Sequence, residues 1–153
     1  MKKFNFLFGA MLLLAIVGSC KKDEAVDERD KFVGTWKGTT TTSVPDLSIN
    51  DTDPITLTIS KNKTNPKQLD ITDGEDSYTA IVNGNTYTYN DFTWTGTIEL
   101  EDEEGNPYTV TASYKMTGTG SINGSSITES GTIRFFVGGG EYPGAWSSTL
   151  VKQ

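Results

Sequence analysis

Residues 108–116 read YTVTASYKM, so apolar or aromatic side chains alternate with polar ones along the whole segment. Strict alternation indicates an extended strand, because successive side chains of a strand point to opposite faces. Residues 55–60, ITLTIS, repeat the pattern, and threonine, tyrosine, isoleucine and valine are frequent over residues 35–149. No segment after Lys31 shows a helical period. The sequence therefore predicts an all-β domain.

Turn signals separate the predicted strands at fairly even spacing. Four dipeptides are suited to turns with positive φ, namely Asp73-Gly74, Asn83-Gly84, Gly105-Asn106 and Asn123-Gly124. The sequence predicts about eight strands, at 33–42, 54–61, 67–72, 77–83, 86–101, 107–122, 126–137 and 145–151, and these dipeptides are among the turn signals between them. Gly138 to Gly140 is expected to be a flexible link into the last strand.

The predicted strand over 86–101 carries an irregularity. Aromatic residues alternate with polar ones at Tyr87 and Tyr89 and again at Phe92 and Trp94, but the alternation shifts by one residue between the two pairs. This shift indicates a bulge or kink at Asn90-Asp91, with Gly96 as an alternative bend. Long bent strands suit a strongly coiled sheet. A meander of eight antiparallel strands can close into a single up-and-down barrel that leaves no exposed edge.

The amino terminus is typical of an exported chain. Two lysines precede an apolar run from Phe6 to Val17, and two small residues follow it, which predicts a secretory signal peptide over residues 1–19. The run is shorter than the roughly 18 to 20 residues that a membrane-spanning helix needs.

The residues Val17-Gly18-Ser19-Cys20 resemble the lipobox of bacterial lipoproteins, and Cys20 is the only cysteine of the chain. The resemblance implies cleavage before Cys20 and lipid attachment to its thiol, so that a membrane is a partner through acyl chains. Each buried methylene of such a chain contributes about 0.8 kcal/mol. A plain secreted protein with an unmodified cysteine is the alternative.

Residues 20–31 are rich in charge and poor in apolar side chains, which predicts a disordered tether. The tract Lys21-Lys22-Asp23-Glu24 resembles the export signal that places some Gram-negative lipoproteins on the outer face of the outer membrane. It implies an outer-membrane protein on the periplasmic or cell-surface face, with the surface favoured. A solvated spacer that carries no localisation signal is the alternative.

Composition limits the chemistry of the domain. The chain has no histidine and a net charge of −7, which argues against nucleic acid as a partner and against Ser-His-Asp or Cys-His catalysis. We expect no enzyme activity, cofactor or metal. The acidic stretches at Asp51 to Asp53, Asp73 to Asp76 and Glu99 to Glu104 are interpreted as solvated loops, since none has the spacing of a calcium loop.

Residues 32–153 open with Gly34-x-Trp36, which resembles the first-strand signature of lipocalins and related calycin barrels. The resemblance implies a lipocalin-like barrel in which Trp36 closes the narrow end and Arg134 packs across it. Gly34, Trp36 and Arg134 would then be structural residues. The other loop motifs of typical lipocalins are not evident in this chain.

Aromatic side chains are the candidate ligand site, because they offer large contact areas. The candidates are Tyr87, Tyr89, Trp94, Tyr108 and Tyr114; the alternative is that they fill the core or cover the outer wall. The leading hypothesis is a membrane-anchored, extracytoplasmic protein that binds a small hydrophobic or aromatic ligand. The alternatives are a surface protein- or glycan-binding module, or a calycin-like protease inhibitor, each with a filled barrel.

Overall fold

The computed structural model describes residues 26–101 and 104–153, and these residues form nine strands. A short 3-10 helix at Pro45–Leu47 connects the first strand to the second. The strands are β1 (Gly34–Val44), β2 (Ile49–Lys61), β3 (Gln68–Thr72), β4 (Ser77–Asn83), β5 (Thr86–Tyr89), β6 (Phe92–Glu101), β7 (Pro107–Asn123), β8 (Ser126–Val137) and β9 (Gly140–Lys152).

The strands form one antiparallel sheet whose hydrogen bonds close into a ring. The order of neighbours is β5-β4-β3-β2-β1-β9-β8-β7-β6, and an additional pairing between β5 and β7 completes a barrel-like ring of eight strands. Strand β6 lies outside this ring and pairs with β7. The predicted all-β fold is confirmed, and two of the predicted strands, 77–83 and 126–137, have the observed bounds of β4 and β8.

The predicted bulge is also confirmed. Strands β5 and β6 both pair with β7, with Thr88 opposite Thr119 and Phe92 opposite Met116. Three residues, 89–91, therefore face only two residues of β7. The extra residue is typical of a bulge, which bends the strand and locally increases its twist.

Two loops that the sequence predicts are shorter in the structure. Strand β2 begins at Ile49, so Asp51 and Asp53 lie on a strand opposite β1 rather than in a loop. The glycines before the last strand form a tight turn at Gly138 and Gly139, with φ values of 57° and 84°, and β9 already begins at Gly140. Only glycine adopts such φ values without strain in two successive positions.

One end of the ring is closed by fully buried aromatic side chains. At this closed end lie the connections that follow β2, β4 and β7, whereas the connections that follow β1, β3, β6 and β8 lie at the open end. Phe32 and Trp36 have no exposed surface, and the Trp36 Nε1–H donates to the carbonyl oxygen of Phe32 at 2.7 Å. The Phe32 ring packs edge-on against Tyr87, at 5.2 Å between centroids.

Residues 27–32 form a turn that packs across the closed end. The guanidinium of Arg29 donates from Nη1 to the carbonyl oxygens of Asn62 and Asn65, each at 3.0 Å, and so joins the turn to the connection between β2 and β3. Asp27 accepts from the same guanidinium at 2.8 Å. This hydrogen bond from Arg29 is the main reason why the pKa of Asp27 is far below its usual value.

This docked turn differs from the disordered tether predicted over residues 20–31. Burial of a charged side chain is strongly unfavourable when the side chain has no partner of opposite charge. Asp27 has two such partners, Arg29 and Lys61, and the Lys61 Nζ lies 3.0 Å from the carboxylate. Specific partners thus order residues 27–31. Residues 1–25, which include the signal peptide, Cys20 and the first part of the predicted tether, lie outside the described residues.

Small residues on the inner faces of β7 and β8 make room for large rings. A Cβ added at Gly120 would lie 2.2 Å from the Tyr87 ring, and one added at Gly118 would lie 2.4 Å from the Trp146 ring. Both distances are far below van der Waals contact. The glycines therefore allow Tyr87 and Trp146 to reach across the interior.

Candidate functional site

A cavity of about 260 Å³ lies inside the ring, between its middle and the open end. Residues from β1, β2, β4, β5, β7, β8 and β9, together with the turn after β3, form its wall. Five lining residues are aromatic, namely Tyr78, Tyr89, Tyr114, Phe135 and Trp146, and four are aliphatic, namely Ile55, Leu57, Met116 and Ile133. The interior is thus filled at the closed end and hollow above it.

The floor of the cavity holds a buried carboxyl group. Glu129 on β8 is 4% exposed and lines the cavity. Its Oε1 accepts hydrogen bonds from the hydroxyls of Tyr87 and Tyr89, the second at 2.5 Å. Because charge-assisted hydrogen bonds of this kind are short and strong, the two tyrosines fix the carboxyl group at the bottom of the cavity.

Burial raises the pKa of Glu129, since removal from water disfavours the charged form. The hydrogen bonds from Tyr87, Tyr89 and Ser148 lower the same pKa, but by less than burial raises it. The pKa values of both tyrosines are raised, first by burial and then by the charge of Glu129. The phenols therefore stay protonated and act as donors.

A second carboxyl group lies at the rim of the cavity. Asp73, in the turn between β3 and β4, accepts a hydrogen bond from the Tyr78 hydroxyl at 2.6 Å, and its other oxygen accepts from the backbone N–H groups of Glu75 and Asp76. Partial burial acts to raise the pKa of Asp73, but these hydrogen bonds outweigh it, and the pKa is lowered. Asp73 is thus held in its charged form.

The aromatic side chains of the wall contact one another, Tyr89 edge to face with its two neighbours and Tyr114 at a tilt with Phe135. The Tyr89 ring lies 5.8 Å from Trp146 and 6.1 Å from Tyr78, and Tyr114 lies 5.4 Å from Phe135. The Trp146 Nε1–H donates to the carbonyl oxygen of Thr117 at 3.0 Å, so the indole is held in place. These contacts produce a rigid apolar wall above the Glu129 carboxyl group.

The five aromatic residues that the sequence predicts as ligand-binding lie in four different places. Tyr89 and Tyr114 line the cavity. Tyr87 is fully buried below the floor, and Trp94 stacks on Tyr114 at 5.1 Å from the β6 side. Tyr108 is 46% exposed beside an acidic cleft at the open end. The structure therefore brings together two of the five in the cavity, with two more supporting it.

The predicted packing of Arg134 across Trp36 is wrong. Trp36 closes the ring end as expected, but the cation over its ring is Lys152, with Nζ 5.2 Å from the centroid. Arg134 is 62% exposed and pairs with Glu141 at 2.9 Å. It lies on the outer face of β8, because residues 133 and 135 face inward. Gly34, with φ at 138°, lies against the Lys152 side chain.

Sequence reasoning missed Glu129 and Trp146. Strand β8 alternates along Ile127, Glu129, Gly131, Ile133 and Phe135, so its period of two places Glu129 among inward-facing residues. A charged residue among the inward-facing residues of a strand is the signal from which a buried carboxyl group could be predicted. This signal is weak in a chain with many acidic residues, because one more glutamate does not stand out.

A second cleft, of about 600 Å³, lies at the open end and is lined by four acidic residues, Asp46, Asp51, Glu99 and Glu101, none of which lines the cavity. Within residues 26–101 and 104–153, no three acidic side chains lie close enough together to hold a metal ion. The same residues contain no helix that is long and apolar enough to cross a membrane.

No family model and no curated protein matches this chain. Among solved structures, it is similar to the crystal structure of a protein of unknown function from the DUF3598 family of Nostoc punctiforme, with a TM-score of 0.43 and 19% sequence identity. The match covers 80% of this chain and 48% of that one, so the chain spans about half the length of the solved protein.

Proposed function

We propose that this chain is a membrane-anchored, extracytoplasmic lipoprotein whose lipocalin-like ring binds a small hydrophobic or aromatic ligand. The observation that carries the proposal is the cavity lined by five aromatic residues above a buried carboxyl group. Ligand sites are typically concave and mostly apolar, with a few placed polar groups that fix orientation. The cavity of this chain has each of these properties.

The size of the cavity limits the ligand. An engineered apolar cavity of about 150 Å³ in another protein is large enough for benzene. At about 260 Å³, the present cavity has room for one aromatic ring with a short side chain. This volume favours a small-ligand function over the alternatives of a protein- or glycan-binding module or a protease inhibitor, which were predicted to have a filled interior.

Three features support the lipocalin-like part of the proposal. The strands follow one another around the ring in chain order, and β1 closes it against β9. Trp36 of the Gly-x-Trp opening closes one end. A cation packs on that tryptophan, although it is Lys152 rather than an arginine. Lysine over an indole ring supplies the same cation–π attraction, without the planar stacking of a guanidinium.

The anchoring part of the proposal depends on Val17-Gly18-Ser19-Cys20. Residues 27–32 are docked on the closed end, and a chain spans at most about 3.5 Å per residue. Five residues lie between Cys20 and Val26, which makes six residue steps, so the lipid would lie within about 20 Å of that end. The cavity mouth would then face away from the membrane, where a ligand has free access.

The cavity is tested with a matched pair of variants on β1. Thr42 lines the cavity, whereas Thr39 is exposed on the outer face of the same strand. Thr42→Trp should block the cavity and abolish the binding of small aromatic compounds, measured by chemical-shift changes of the cavity residues, and Thr39→Trp should leave binding intact. The small-ligand proposal would be contradicted if both variants bound the compounds equally well. It would also be contradicted if the compounds caused no chemical-shift changes of the cavity residues in the unmodified protein.

The anchor is tested separately by growth with a fatty-acid analogue. Labelling should occur on the intact protein and disappear in Cys20→Ser, whose signal peptide should also remain uncut. A Cys20→Ser protein that is processed and still fractionates with membranes would show that the lipid anchor is wrong. Protease treatment of intact cells then distinguishes the surface from the periplasmic face of the outer membrane.

A further inference from the structure

The ionisable groups on the cavity wall all carry the same sign. The charged lining residues are Asp73 at the rim and Glu129 at the floor, and the lining contains no lysine or arginine. The ion pairs of the described residues involve Asp27, Asp30 and Glu141, so the Glu129 carboxyl group has no cationic partner among them. Its neighbours are hydroxyl donors, which stabilise a negative charge without neutralising it.

A buried carboxylate without a counter-ion is costly unless something compensates it. Glu129 could avoid this cost by remaining protonated, and burial acts in that direction. Yet both tyrosine hydroxyls donate to the same oxygen, Oε1. Hydroxyl donors stabilise the ionised form of a carboxyl group, and a cation in the cavity would supply the counter-ion that the Glu129 carboxyl group lacks. The site therefore favours a positively charged group in the open cavity.

The rings above this carboxylate add a second attraction for positive charge. Tyr89 donates to Glu129 and also lies 5.8 Å from Trp146, so the two rings flank the floor of the cavity. Aromatic faces attract ammonium groups by their quadrupole, most strongly where water is excluded. Carboxylate and rings thus favour the same kind of group at the same point.

From these contacts we propose that the ligand of the cavity is a small organic cation, a protonated amine with an apolar or aromatic body. Its N–H groups donate to the Glu129 carboxylate on the floor, and its body lies against Tyr114, Phe135 and the neighbouring aliphatic side chains. Asp73 at the rim attracts the cation toward the mouth. This inference rests on the proposed ligand-binding function and specifies the class of ligand.

The experiment compares three probes of nearly equal shape, 2-phenylethylamine, 2-phenylethanol and phenylacetate. They differ in one terminal group, which is positive, neutral or negative at about pH 8. Titration calorimetry on the intact domain should show that the amine binds at least about tenfold more tightly than the alcohol, because a hydrogen-bonded charge contributes that much. The carboxylate probe should not bind.

Two matched variants locate the effect. Glu129→Gln keeps the shape of the side chain and removes its charge, so the affinity for the amine should fall to the level of the alcohol. Glu99→Gln makes the same change in the acidic cleft, at a residue that does not line the cavity, and should leave the affinity for the amine unchanged. Thermal unfolding of Glu129→Gln checks that the domain stays folded.

The possible failures are distinguishable. If the alcohol binds the cavity as tightly as the amine, or if Glu129→Gln leaves the affinity for the amine unchanged, the amine inference is wrong while the cavity remains a ligand site. An equal loss in Glu129→Gln and Glu99→Gln would indicate attraction to the acidic surface and would also overturn it. If none of the three probes shifts the cavity resonances, both the inference and the proposed small-ligand function are contradicted.

Discussion

Replacement of Phe32 by alanine should destabilise the whole ring. Phe32 precedes the first strand, yet its ring has no exposed surface and packs edge-on against Tyr87 at 5.2 Å. Deletion of a buried phenylalanine ring costs about 3 to 5 kcal/mol. We take about 3 kcal/mol, since the turn over residues 27–32 can partly collapse into the space, and this lowers the ratio of folded to unfolded molecules roughly 150-fold.

The assay is urea unfolding of the protein, monitored by tryptophan fluorescence. Phe32→Leu is the matched control and should cost less than about 1.5 kcal/mol, because it nearly conserves the buried volume. The slope of the unfolding free energy against urea should not change, since the surface exposed on unfolding is almost the same. A loss below about 1 kcal/mol for Phe32→Ala would refute the reasoning, because it would mean that the turn frays independently of the ring.

Three further changes test the floor and the closed end. The pKa of Glu129 is raised in the folded state, so the stability it contributes below its unfolded pKa is lost as the pH rises through the folded value. Glu129→Gln should therefore lose less stability than the parent as the pH rises above 4.5, the ordinary pKa of a glutamate, and parallel urea-unfolding profiles would contradict this. Gly120→Ala should cost about 1 to 3 kcal/mol in the same assay, because its Cβ would collide with Tyr87, and an unchanged midpoint would count against the close contact. Arg29→Ala should speed hydrogen exchange in residues 62–67, because Arg29 binds the carbonyl oxygens of Asn62 and Asn65 in this connection. Arg29→Lys should restore only part of the protection, and unchanged exchange rates would show that the contact is not formed in solution.

Local patterns predict most of the strands, because all consecutive strands except β5 and β6 pair with each other. The alternation at 108–116 lies within β7, and the slip in aromatic phase after Tyr89 marks the observed bulge. The remaining strand bounds depend on which residues of the neighbouring strand are available for pairing. Residues 50–53 are polar and resemble a loop, but they belong to β2 because β1 pairs with them, with Thr42 opposite Asp51.

The candidate site is harder to predict, because it is assembled across the ring. Tyr89 on β5 and Glu129 on β8 meet only after the sheet closes, and no spacing in the sequence reports that contact. The error at Arg134 has a related cause. A suitable residue type near the last strand says nothing about which face it occupies, and the cation over Trp36 comes from Lys152 at the end of β9.

The pairing of β1 with β9 also governs the order in which the molecule can fold. Trp36 lies opposite Lys152, more than a hundred residues later, and the Gln153 N–H donates to the carbonyl oxygen of Thr35 at 3.0 Å. Contacts so distant along the chain make folding slow, and this closure cannot begin before β9 has left the ribosome or the translocation channel. Until then β1 and β8 each present a free edge that can pair with another chain. The unfinished ring is therefore the form of this protein that is most exposed to aggregation, and β9 is the segment that ends the exposure.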